Sequence, residues 1–498
     1  MPALRLDVTG TRPSEMTTAR SIERPPHDKV YWLVALIASF VLINSIVAIA
    51  DPLALSVTLA VPAIPFVLFA ILRGMTGDRI YGALLAVIVV FVLAASFRNR
   101  AYSDKDIDFQ VALKLCAIGA LFASSILFIG KIFDGIHSYG MLCWLSFFIY
   151  TIVTCSYTIN PLPALVSTAS LLGAFLFVCY LCVQFGRKSA IGIIVATGAF
   201  LWLGSLAVYF AIPSLGRMSD WVGGDFVETW RLQGLFGSSN SAGMSAASGL
   251  FLVVAFYARE PGHSRALAAI AALSALACLV LSNNRMAMFA LAVSSATLFL
   301  LNRSIARRSL LLSAITLFGV ALVFLFANQL LALISRSGSW DEVMSATGRT
   351  RIWPVVIELW SQTPLMGRGF GAALYILPTH PDLFRAAAHA HNLYLEQLFS
   401  GGLIGLGLFA CGIVITIGVA WRAKATREFS LLVFFLIYGL TEPVISGPVS
   451  FPLIMMFLAV VLILRNRRQR SPRAVSDRFA LPERPGVDGY QLHDPPRP

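Results

Sequence analysis

Residues 393–421 read LYLEQLFSGGLIGLGLFACGIVITIGVAW, and Glu396 is the single charged side chain in that run. A helix needs about 20 largely apolar residues to cross the hydrocarbon core of a bilayer, so this stretch is long enough to span one. Comparable runs precede it at about 30–49, 53–72, 80–97, 111–129, 139–158, 164–185 and 190–212. They continue at about 241–258, 266–282, 284–302 and 309–333, and follow it at 429–444 and 447–464. The total is 14, or 12 if the closely spaced pairs around Asn283-Asn284-Arg285 and Pro443 to Pro452 are merged. Composition agrees: 57% of the 498 residues are hydrophobic and 13% charged, with a mean hydropathy of +0.78. The chain reads as an all-α polytopic membrane protein, since helices satisfy their own backbone in lipid and no alternating strand pattern competes.

Lysine and arginine set the expected orientation, because short cytoplasmic loops hold the positive excess. Arg5 to Lys29, Arg187-Lys188, Arg303/Arg307/Arg308, Arg422/Lys424/Arg427 and Arg465 to Arg470 all fall on one face of the count. That face is expected to be cytoplasmic, with both termini on it. Arg98-Asn99-Arg100 through Lys105 land on the opposite face, against the rule, beside Asp104, Asp106 and Asp108. Residues 1–29 and the Arg- and Pro-rich 465–498 are expected to be disordered cytoplasmic tails around a membrane domain over 30–464, with no cleavable signal peptide. Two long polar loops, about 213–240 and 334–392, then face outward. The net charge of +13 is orientation charge plus outer-loop arginine, not a nucleic-acid signal.

The seven cysteines lie in apolar runs, which argues against a disulfide framework, and Cys179-x-x-Cys182 reads as small-residue packing. His380, His389 and His391 lack a carboxylate or cysteine at ligand spacing, so no metal site is expected. No fixed-period repeat is present. Ionisable positions within spans are few: Lys114, Glu442 and Glu396.

Chemistry-bearing residues instead gather in the second polar loop, in Gly348-Arg349-Thr350-Arg351-Ile352-Trp353 and His389-Ala390-His391-Asn392. If the latter segment is helical, its two histidines project to roughly opposite sides. Asn392 reads equally as an N-cap or as a polar contact for a substrate. Glu396, one turn on, suits a first-turn acid, a partner for an arginine or an orienting group for a histidine. Gly401, Gly402, Gly405 and Gly407 read as close helix packing.

From His391-Asn392, nine residues lead to Gly402 and two more to Gly405, a spacing that resembles the bacterial O-antigen ligase and Wzy-type polysaccharide polymerase family. Further pieces carry the same resemblance. Ser156-Tyr157-Thr158-Ile159-Asn160-Pro161 is similar to the family's short outer turn, with Tyr157 and Asn160 replacing its usual Trp and Asp. Arg231-x-x-Gly234-x-Phe236 with Asn240, Ser282-Asn283-Asn284-Arg285, Gly348-Arg349 with Trp353, and Gly367-Arg368-Gly369-Phe370-Gly371 follow in the family's order. The resemblance covers about residues 140–445. It implies a GT-C-like fold with a large helical outer loop, in a bacterial inner membrane with a periplasmic active face. It also implies a metal- and nucleotide-independent enzyme, with no cofactor, that moves a glycan from a polyprenyl-diphosphate carrier to an acceptor hydroxyl. The acceptor would be lipid A-core or a growing polysaccharide.

In that chemistry a lipid diphosphate leaves, and arginine suits it because it stays charged and presents a planar fork to phosphate oxygens. Arg231, Arg285 and Arg349 are the expected cations. His391 is the expected general base. Asn392, His389, Arg351, Asn240 and Glu396 are the expected substrate contacts. The alternative of a different class is a polysaccharide or lipid-carrier transporter, which would line a path through the bilayer with ionisable residues.

Overall fold

The computed structural model describes residues 79–96, 109–136, 139–222, 225–303, 349–383 and 388–465. The expected tails and the runs at 30–49, 53–72 and 309–333 lie outside the described residues. The chain is an all-α polytopic membrane protein. We number the helices α1 Arg79–Ala94, α2 Phe109–Leu127, α3 Tyr139–Thr154, α4 Pro161–Gln184, α5 Gly186–Ala211, α6 Ser239–Ala255, α7 Arg265–Ser282 and α8 Arg285–Leu301. They continue as α9 Arg349–Ser361, α10 Leu393–Ala423, α11 Thr426–Tyr438 and α12 Phe451–Arg465. Among the described residues, 6 helical segments are long and apolar enough to cross a membrane, and 4 shorter apolar helices accompany them.

Polar residues punctuate the bundle where the apolar runs leave the choice open. The Ser264 hydroxyl accepts from Leu267 N to start α7, and Ser238 accepts from Ser241 N to start α6. Between α7 and α8 the chain reverses within two asparagines. Asn283 takes a left-handed conformation (φ 46°) that closes α7, and the Asn284 side chain accepts from Ala287 N to open α8.

Helix α12 organises the packing. From Phe451 to Leu464 every residue is buried, and a helix apolar all round belongs in the middle of a bundle. It touches α1, α4, α5, α6, α10 and α11. Beside it Trp144 packs against Phe175, Phe409 and Phe457 while its indole N–H donates to Thr416 Oγ1 at 3.1 Å. A buried tryptophan is favourable only with that polar tip satisfied.

Three segments differ from the sequence expectation. Residues 217–232 form a two-stranded hairpin, β1 Arg217–Val222 with β2 Asp225–Leu232, where a polar loop was expected. Asn240 lies inside α6 rather than before it. Helix α11 stops at Tyr438, short of the expected 444, and 439–450 is irregular.

Helix α10 is broken at Gly402 (φ 64°, ψ −160°). A break at membrane depth must find new backbone partners. Segment 364–369 supplies them: Phe399 O and Ser400 O accept from Arg368 N and Gly369 N at 2.8 and 2.9 Å. Leu403 N and Ile404 N donate to Pro364 O and Leu365 O at 2.9 and 3.2 Å. The turn after α3 holds the same segment, with Tyr157 donating to Met366 O at 2.7 Å and Thr158 to Phe370 O at 3.1 Å. Packing alone therefore does not explain the glycines: a Cβ on Gly407 would meet nothing, whereas one on Gly402 would overlap the Leu365 carbonyl.

Gly402→Ala should destabilise the protein by at least about 2 kcal/mol, because the residue is left-handed and its Cβ meets backbone. Gly401→Ala should be near neutral, its Cβ meeting only the Tyr150 ring edge at 3.4 Å. Thermal unfolding of both variants in detergent checks the contrast; equal midpoints would refute it.

Candidate functional site

One end of the bundle collects the N-termini of α6, α8, α9 and α10 and the C-termini of α7 and α11. Local sequence fixes how each element presents its side chains there. Asn392 is an N-cap, accepting from Tyr394 N and Leu395 N at 2.9 and 3.0 Å, while its amide donates to Leu440 O at 3.1 Å. Leu393 N donates to Gly439 O at 2.7 Å. These bonds tie the start of α10 to the chain leaving α11, and so bring residue 391 beside residue 442.

Glu442 is the centre of the cluster. Its Oε1 accepts from Arg349 Nη2 at 2.5 Å and from Asn240 Nδ2 at 2.7 Å. His391 Nδ1 lies 3.3 Å from Oε1 and 3.2 Å from Oε2. Arg349 Nε also donates to Thr441 O at 3.0 Å, so the guanidinium grips both the carboxylate and the backbone before it. Behind Asn240, Arg231 donates from Nη2 to Asn240 Oδ1 at 3.3 Å and from Nε to Ser282 O at 3.1 Å. Tyr438 and Asn284 close the rear, the hydroxyl donating to Asn240 O at 3.2 Å and receiving Asn284 Nδ2 at 2.8 Å.

Burial by itself raises the Glu442 carboxyl, but His391 and then Arg349 outweigh it and hold the group at about 2. An ionised carboxylate can only accept, so it assigns the proton of a neutral His391 ring to Nδ1 and leaves Nε2 as the accepting nitrogen. His391 itself sits at φ 46°, an uncommon conformation for a residue with a Cβ.

The peptide before it is clamped from both sides. Ala390 N donates to Glu396 Oε2 at 2.8 Å, and Ala390 O accepts from Trp353 Nε1 at 3.1 Å. Glu396 is 1% exposed, so the expected substrate contact is instead a buried support for the histidine loop. Asn392 is likewise occupied as a cap. His389 and His391 have ring centroids 6.4 Å apart in an edge-on arrangement. Burial, with His391 adding to it and Glu442 opposing, lowers His389 to about 4.

Of the expected cations, Arg231 and Arg349 join the Glu442 network, and Arg285 opens α8 directly after Asn284 at its edge. Arg351, expected as a substrate contact, is exposed two residues along α9. Sequence reasoning left Glu442 out of the site. Its signal was its rarity, one of few ionisable residues in an apolar run.

Removing the anion should be costly. Glu442→Gln leaves Arg349 without its counter-charge and the His391 N–H without its carboxylate acceptor, and is expected to lower stability by about 3 kcal/mol or more. Acid should act in two steps. His389 titrates near 6.5 when unfolded and about 4 when folded, so the unfolded chain takes up its proton first and the contribution of this residue to stability falls as pH drops from 6.5 to 4. Glu442, at 4.5 unfolded and about 2 folded, removes more between those values. A melting-temperature profile against pH checks both. His389→Gln should flatten the upper step; an unchanged profile would contradict the assignment.

Residues 267–410 match the protein family described as O-Antigen ligase. An O-antigen ligase of Pseudomonas aeruginosa is 28% identical over 136 residues, which are 27% of this chain and 32% of that protein. The matched stretch contains Arg285, Arg349, His391 and the Gly402 break, and ends before Glu442. The likeness of this chain to the O-antigen ligase family thus lies over residues 267–410, and the chain spans about a third of the length of the curated relative that it matches.

Proposed function

We propose that this protein is a membrane glycosyltransferase that moves a glycan from a polyprenyl-diphosphate carrier to an acceptor hydroxyl, either ligating it to lipid A-core or polymerising a surface polysaccharide. The observation that carries this reading is the Glu442 network, which sets a histidine and two arginines together at one end of the bundle. In the proposed reaction the acceptor hydroxyl gives its proton to His391 Nε2 as its oxygen attacks the anomeric carbon. The bond from that carbon to the diphosphate oxygen breaks, and the lipid diphosphate leaves as an anion. Arg349 and Arg231 are the cations for the developing charge, and four helix N-termini at the same end add to the favourable field. Glu442 holds the histidine tautomer and stabilises the ring once it is protonated, the role a buried carboxylate plays in other acid–base pairs.

The transporter alternative gains less support. Among the described residues the linked ionisable groups gather at the two ends of the helices, around Glu442 and around Arg187 with Glu260 and Glu428, rather than along a path through them. With the site on the outer face, the catalytic end is periplasmic in an inner membrane.

Two measurements test this. Transfer from a purified polyprenyl-diphosphate glycan in nanodiscs should fall about 10²-fold or more in His391→Ala, the usual scale for losing general-base help. Arg349→Lys should be poorly active because the two-pronged hold on Glu442 and the Thr441 carbonyl is lost. Normal turnover in both variants would overturn the reading, and the acceptor that is used, lipid A-core or repeat unit, separates ligase from polymerase. For orientation, Trp230 on the hairpin is 72% exposed, so Trp230→Cys should react with a membrane-impermeant maleimide on spheroplasts. Labelling only after lysis would invert the topology.

A further inference from the structure

At the opposite end of α6 and α8 from Glu442, the two helices line a half-open cavity of about 630 Å³. Its walls are apolar, with Phe251 from α6 facing Leu291 and Leu298 from α8. Its lining continues past the helix ends to Arg259 and Arg303. Both arginines are exposed, and Arg303 lies over the Phe299 ring at 4.6 Å, which keeps its guanidinium at the edge of the cleft.

Two cations near helix C-termini are stabilising on their own account, since they offset the negative dipole ends. That does not explain an apolar cleft beneath them. None of the described residues that line it is acidic. Glu260, adjacent to Arg259, is turned toward Arg187, its carboxylate 3.9 Å from that Nε. The same end of the bundle carries Lys188, Arg422, Lys424 and Arg427 at the starts and ends of α5, α10 and α11. A groove with an apolar floor and a cationic rim at a membrane face matches one kind of molecule, amphipathic and negatively charged at its head.

We propose that this cavity binds an anionic phospholipid, with an acyl chain along Phe251, Leu291 and Leu298 and its phosphate held by Arg259 and Arg303. The site shares no residue with the Glu442 cluster and is separate from the proposed transfer reaction. A soluble phosphate would use the arginines but leave the apolar floor unfilled, and a zwitterionic lipid would bring a cation against two others.

The test is native mass spectrometry of the whole protein released from nanodiscs of phosphatidylcholine with or without phosphatidylglycerol. Wild type should keep one phosphatidylglycerol through detergent washing and keep phosphatidylcholine poorly. Arg259→Ala/Arg303→Ala should weaken retention about 30-fold, the worth of two cations near a charged lipid surface. Leu291→Trp, which fills the floor and leaves both arginines, should lose the lipid as well, and a normal gel-filtration profile for each variant establishes that it folds. Three results overturn the proposal. Retention unchanged in the double variant removes the headgroup contact, and retention unchanged in Leu291→Trp removes the acyl chain from the cleft. Wild-type protein that keeps no phosphatidylglycerol means that the chain itself or bulk lipid fills the space.

Discussion

The end of this bundle that carries the candidate site depends on one carboxylate. Glu442 takes hydrogen bonds from α6, from the first residue of α9 and from the loop before α10, elements far apart in sequence. Each donor brings a group with its own demand: an amide that also carries Arg231, a guanidinium, and an imidazole. Pulling one charge out of water costs several kcal/mol, and two cations without an anion between them would repel. A single acid resolves both problems. Its titration, depressed to about 2 in spite of burial, reflects how strongly the His391 ring and Arg349 hold the ionised form.

The position of Glu442 depends in turn on packing. It sits in the irregular 439–450 segment between α11 and the fully buried α12. Its backbone is held by Arg349 on Thr441 O and by the Asn392 amide on Leu440 O. On the facing side, the histidine loop is fixed through Ala390, whose N–H is taken by the buried Glu396 carboxylate and whose C=O is taken by the half-buried Trp353 indole. The break at Gly402 belongs to the same construction. It lets segment 364–369 bond into the side of α10, and thereby docks the loop leading out of α9 against the helix that carries His391 and Asn392. Rigidity around a proposed general base matters because proton transfer needs heavy atoms placed within about 3 Å.

Much of this was legible in the sequence, for identifiable reasons. Long apolar runs report helices that must bury or span, and they gave the bundle. Arg231, Arg349, His391 and Asn240 were found because they lie near glycines, tryptophan and asparagine at a recognisable spacing. Glu442 was passed over because it follows His391 by a whole helical hairpin and stands alone, so nothing local announces a partner; only the Asn392–Leu440 and Leu393–Gly439 bonds bring it close. The hairpin at 217–232 reads as a polar loop because strands this short carry little alternation to detect. Glu396 had three local readings and Asn392 two, and the tertiary contacts to Ala390 N and Leu440 O that show how each is held are encoded by no spacing rule.

A connected network also changes what any one residue means. Arg231 is linked to Glu442 through Asn240, and His391 and Arg349 share Oε1 of the same carboxylate. Deleting one member therefore alters the field on all the others, and losses measured singly will not sum to the loss of the group. Asn240 illustrates the point: it carries no charge and does no proton transfer, yet it accepts from one cation and donates to the anion, so its amide sets the polarity of the link. Reversing that amide would set its oxygen against the Glu442 carboxylate and its N–H groups against the Arg231 guanidinium, both repulsive. The neutral residue is thus as constrained as the charged ones, and the unit on which the fold and the proposed chemistry both rest is the set of bonds around Glu442 rather than any single side chain.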